Sequence, residues 1–221
     1  MSASSEDVPL GLRVPPVPAG SEIPPEPHDV GARALSVAAR LLAGATVFFF
    51  LAFIFAYFYL RSINVEHLWR HGHIDPKQAL GAAMIACVVL SALLAIGAGR
   101  LMKNGARGWV GLAAGAVVLG LAAVALQCIE YTRQRFGPTD GAYASVFCAW
   151  TAMYLIAVLG AIYWLETQAA TELRARRQPA PVDGDIRQPD RLIAPGLDAA
   201  VFYWAFLAAI GVVTYVVLYL L

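Results

Sequence analysis

The chain of 221 residues carries 59% apolar side chains against 14% charged ones, with a formal net charge of +1 and a mean hydropathy of +0.63. That balance lies well outside the soluble globular range, and the chain has no basic patch of the kind that nucleic acid requires. It predicts an all-α integral membrane protein.

Residues 1–34 hold seven of the 13 prolines, with Glu6, Asp7, Glu22, Glu26 and Asp29 interspersed. No apolar stretch precedes a cleavage site there, so the segment is read as an extended tail without a core of its own rather than a secretory signal. Residues 35–221 form a membrane domain. Five apolar runs follow the tail: Leu41 to Leu60, Ala79 to Gly99, Trp109 to Tyr131, Tyr143 to Leu165 and Ala199 to Leu221. At about 1.5 Å per residue each crosses a hydrocarbon core about 30 Å thick. The runs are continuous rather than alternating, which predicts helices and not barrel strands. Of the 16 Lys and Arg, only Arg61, Arg70, Lys77, Arg133 and Arg135 flank the side opposite the N-terminus. The basic excess places the N-terminus in the cytoplasm and the C-terminus outside.

The first outward loop reads HLWRHGH. His67, His71 and His73 are weak candidates for a copper or zinc site there, against the more ordinary reading of a surface or partner contact. All four histidines fall outside the apolar runs, so no haem is expected within the membrane in this chain. Cys87, Cys128 and Cys148 have no metal-like spacing and are read as small buried residues. A transporter would be expected to show broken helices and a polar midplane site, yet none of the five runs contains proline.

Small residues recur at helical spacing in two neighbouring runs: Ser91, Ala95 and Gly99 in one, Ala116, Gly120 and Ala123 in the other. In lipid such stripes mean close helix packing. Gln127 and Glu130 continue the second stripe, which puts them on a packed face near the outer interface, with Arg133 spaced to pair with Glu130 along the helix.

LQCIEYTRQRFGPTDGAYASVF, Leu126 to Phe147, resembles without a gap the pattern LQxxEYxxxxFxxxDGxYxSxF of cytochrome c oxidase subunit III. The matching positions are Leu126, Gln127, Glu130, Tyr131, Phe136, Asp140, Gly141, Tyr143, Ser145 and Phe147. TVFFFLAFIFAYFYLRS, Thr46 to Ser62, is similar to the family's aromatic helix SE(V/L)MFFxxxFAxYFxLR. GLDAAVFYWAFLAAIGVVTYVVLYLL, from Gly196, is similar to its closing helix, keeping Ala199, Ala200, Tyr203, Trp204, Phe206, Tyr215 and Tyr219.

The resemblance implies the five-helix bacterial form of the subunit, in the bacterial inner membrane, with a lipid cleft. It also implies an accessory role in aerobic respiration and electron transport. Haem and copper would belong to the partner subunit I, with subunit II beside it, and phospholipid would be bound. No catalytic, cofactor-binding or nucleic-acid-binding residue is expected in this chain. Gln127, Glu130, Tyr131, Arg133, Asp140, Tyr143, Tyr203 and Trp204 are the expected structural and partner-contact residues.

The chain also departs from the family pattern. Thr46 stands where the family has a membrane-embedded Glu, and Tyr154 and Ala157 stand where it has histidines. Ala205, Ala208 and Gly211 stand in place of His, Asp and Trp. These losses look concerted, because stranding one buried polar partner costs about 1–3 kcal/mol. They keep two alternatives open: a homologue serving a nitric oxide reductase, and a transporter or assembly factor derived from the fold.

Overall fold

The structure is a computed structural model and describes residues 30–64, 69–70, 74–177 and 192–221. Five helices run in order: α1 Val30–Ser62, α2 Gln78–Lys103, α3 Trp109–Arg133, α4 Ala142–Arg177 and α5 Ile193–Tyr215, the last continued by a π-helical turn, Val216–Leu220. No strand occurs among the described residues. Each helix is long and apolar enough to cross a membrane, the arrangement of a multi-pass membrane protein. The Pro-rich segment before Val30 and the three loop histidines lie outside the described residues.

Three helices outrun the apolar stretches that announce them. α1 begins at Val30 rather than near Leu41, α4 runs on to Arg177 past Leu165, and α5 starts at Ile193 rather than Ala199. Hydropathy marks the part of a helix that meets hydrocarbon, whereas the helix itself stops only where backbone bonding or side-chain chemistry ends it. The extension of α4 is held by polar pairs: Arg176 donates to Glu172 at 2.7 Å one turn back and to the Arg107 carbonyl at 3.1 Å in the α2–α3 connection.

α2 and α3 form the most extensive helix pair, and their small-residue stripes are the reason. Ser91, Ala95 and Gly99 on α2 and Ala116, Gly120 and Ala123 on α3 are all buried. The backbones come close enough for Ser91 to donate to the Ala116 carbonyl at 2.6 Å across the interface. This is close packing through small residues, the main source of helix association where lipid is as apolar as the side chains. α5 lies against α1, α2 and α4.

α1 is the least covered helix, presenting Phe48, Phe55 and Tyr59 outward. Its inner face carries Phe50 and Tyr57, both buried. Cys87 and Cys148 are partly buried, but Cys128 is exposed: the α3 stripe takes Gln127 inward, so the next residue points out. The expectation of three buried cysteines therefore fails at Cys128.

Candidate functional site

Six of the eight residues that the sequence singles out, all but Tyr203 and Trp204, lie at the end of the bundle opposite the start of α1. Four helix ends meet there: the beginnings of α2 and α4, the end of α3 and the π turn that closes α5. Gln127 and Glu130 are buried on the inner face of α3 at 1% and 0% exposure. The Glu130 carboxyl receives two hydrogen bonds on Oε2, from Gln127 Nε2 at 3.1 Å and from the Tyr219 hydroxyl at 2.6 Å. Arg133 is exposed, and the expected Glu130–Arg133 pair does not form. The carboxyl faces into the bundle while Arg133 sits on the far-end surface, beside a polar cavity of about 520 Å³ lined by Asp75, Lys77, Gln78, Gln134 and Arg135.

Tyr219 reaches Glu130 because its helix ends in a wider turn. The Leu221 amide bonds the Val216 carbonyl five residues back at 3.1 Å, and Tyr215 and Tyr219 stack at 5.2 Å. The Tyr219 ring lies against Phe147 at 5.5 Å and directly over Gly81, where any Cβ would collide with it.

The last carbonyls of a helix have no partner within it, and here other segments supply donors. Leu218 O accepts from Arg70 at 2.8 Å and from the Tyr143 hydroxyl at 2.5 Å, and Tyr219 O accepts from Gln78 at 3.2 Å. The Arg70 guanidinium also sits 4.4 Å above the Tyr143 ring, where a cation suits both the aromatic face and the negative end of the helix dipole.

The remaining motif residues build the α3–α4 connection. Asp140 is exposed and its carboxylate accepts the Gly137 amide at 2.7 Å, so it shapes its own turn. Ser145 donates to the Pro138 carbonyl at 2.5 Å, and Phe136 packs edge-on against Phe147 at 5.7 Å. The Tyr131 hydroxyl meets Thr151 at 2.7 Å, joining α3 to α4.

Thr46, Tyr154 and Gly211 are each fitted to a neighbouring residue. The Thr46 hydroxyl bonds the Leu42 carbonyl at 2.7 Å and meets the Tyr203 hydroxyl at 3.1 Å, tying α1 to α5. Tyr154 donates to the Leu207 carbonyl at 3.0 Å. Its hydroxyl takes the space that a Cβ on residue 211 would need, which is why Gly211 stands there. Trp150 donates to Thr214 at 2.9 Å beneath Phe50 and Phe53. Trp204 is buried, with its ring over Gly120 of α3.

The structure thus brings together Gln127, Glu130 and Tyr143 through the end of α5. It joins Tyr203 to a different group around Thr46, and it leaves Arg133 and Asp140 on the surface. Arg70, Gln78 and the Trp150–Thr214 pair are participants that sequence reasoning did not single out. Gln78 did carry a signal, as a hydrogen-bond donor directly before an apolar run, whereas Arg70 lies in the middle of a connection.

Chemically, the arrangement ties helices together. No group of three or more His, Cys, Asp or Glu converges among the described residues, and His67, His71 and His73 lie outside them. No family model matches the chain, and no curated protein matches it at a significant level.

Proposed function

We propose that this chain is a divergent, non-catalytic subunit III of a haem-copper respiratory terminal oxidase. It packs beside the catalytic subunit I in a complex that also holds subunit II, with its N-terminus in the cytoplasm, and stabilises the complex and its lipids. Oxygen reduction and its haem and copper belong to the partner.

One observation carries this reading: residues shared with the family in separate segments touch one another. Glu130 and Gln127 from the end of α3 and Phe147 from α4 all meet Tyr219 from the closing helix. Tyr143 bonds the carbonyl next to it, at Leu218. A chance match of apolar sequence would not select side chains that form one hydrogen-bonded group. The departures support the same reading, since Tyr154 and Gly211 replace a histidine and a tryptophan as a complementary pair.

Purification in mild detergent through a tag on this chain, followed by haem spectra and mass spectrometry of the co-purifying proteins, tests the proposal. Haem and copper with a subunit I are the expected outcome. Haem b with non-haem iron would move the chain to a nitric oxide reductase. Recovery of a colourless, monodisperse single chain would end the respiratory reading.

A further inference from the structure

Glu130 is the one fully buried carboxyl among the described residues, and its hydrogen bonding is lopsided. Oε2 accepts from two neutral donors, Gln127 Nε2 and the Tyr219 hydroxyl. Oε1 is buried with no donor in hydrogen-bonding geometry among the described residues, although the Lys77 backbone amide faces the carboxyl, and Oε1 on Gln127 likewise has none. These two stranded acceptors belong to two planar groups that are already joined through their other atoms.

Among the described residues no cation balances the site. The groups facing the carboxyl are Gln127 and Tyr131 of its own helix, Tyr219 of the closing turn and the Lys77 backbone amide at the start of α2. Arg70 is engaged with Leu218 O and the Tyr143 ring, while the Lys77 and Arg133 side chains are exposed around the far-end cavity. The ion pairs among the described residues are Lys103–Asp198 and Arg176–Glu172. A carboxylate at this position would leave a buried charge uncompensated and two acceptors without donors, an expensive arrangement in an apolar setting.

A single hydrogen resolves all three faults. We propose that Glu130 binds a proton on Oε1 and donates it to Oε1 of Gln127. With the Gln127 Nε2 to Glu130 Oε2 bond this closes a carboxylic acid–carboxamide ring within one turn of α3. Oε2 is then the carbonyl oxygen of a neutral acid, accepting from Gln127 and Tyr219, and every polar atom of the pair has a partner. The site is a buried proton site. This inference stands on the hydrogen bonding alone and does not depend on which complex the chain joins.

The test uses the full chain in lipid vesicles at neutral pH. Infrared difference spectra between wild type and Glu130→Gln should show loss of one protonated-carboxyl C=O band, downshifted in D2O, with the carboxylate bands unchanged. Loss of a carboxylate band instead would overturn the proposal. Gln127→Leu should move the acid band to higher wavenumber by removing its acceptor, and an unmoved band would refute the ring.

Thermal unfolding gives an independent readout. Glutamine mimics the neutral acid in shape and supplies a donor at the same place, so Glu130→Gln should melt close to wild type and Glu130→Ala well below both. A Glu130→Gln chain that is as unstable as Glu130→Ala, or fails to fold, would show that the charge itself is required and the proposal is wrong.

Discussion

The far end of the bundle and its middle are held by different physics. At the far end, donors from α2, α3, α4 and the segment before α2 converge on one carboxyl and on the last carbonyls of α5. In the middle, where α1 meets α4 and α5, contact rests on stacked rings with a few separate hydrogen bonds. Phe50 and Phe53 lie on Trp150, and Thr46 meets Tyr203. An apolar groove of about 290 Å³ opens there between Thr46, Phe49, Met153 and Ala157. In lipid, apolar surface alone does not pull helices together, so association depends on fit and on hydrogen bonds. The far end uses directional bonds to set which helix ends meet. The middle uses shape, with residues that fill or spare volume, as Tyr154 and Gly211 do.

Substitutions on either side should separate the two regions. The largest effect is expected in the middle: Trp150→Ala removes a fully buried ring and strands Thr214, and should cost about 3–5 kcal/mol of unfolding free energy in detergent. Tyr219→Phe keeps the ring but removes a donor to Glu130, and should cost about 1–3 kcal/mol. The same titration should show a far smaller loss when a mid-bundle hydroxyl goes: Thr46→Val is expected to cost about 0.6 kcal/mol, the typical worth of an interhelical hydrogen bond in a membrane. A Thr46→Val loss matching that of Tyr219→Phe would erase the distinction between the regions. The smallest effect is expected at Arg133→Ala, below about 0.5 kcal/mol, because this side chain is exposed and Glu130 does not depend on it. A loss above that range would restore the ion pair suggested by the spacing along α3.

Legibility varied with the kind of interaction. The small-residue stripes of α2 and α3 were readable because helical periodicity and lipid chemistry determine how such a face packs, and every residue named in them is buried. The inward position of Gln127 and Glu130 followed from the same period. The partners of Glu130 did not: spacing along one helix proposed Arg133, whereas the bonds come from Gln127 one turn back and from Tyr219, 89 residues away. Asp140 was read as a contact residue and proves to cap its own turn, a role visible only once the loop closes. The exposure of Cys128 was set by the one-residue step from Gln127 and could have been read from the stripe.

By itself the sequence determined the number of helices, the apolar length of each and the faces along which α2 and α3 approach. Those follow from local composition and from a period of 3.6 residues. Tertiary structure alone decided that the closing helix widens into a π turn, that Tyr219 enters the bundle beneath Gly81, and that Arg70, Tyr143 and Gln78 cap the end of that helix. Each of these joins residues far apart along the chain, and only the packed bundle brings the donor and the stranded acceptor within reach of each other.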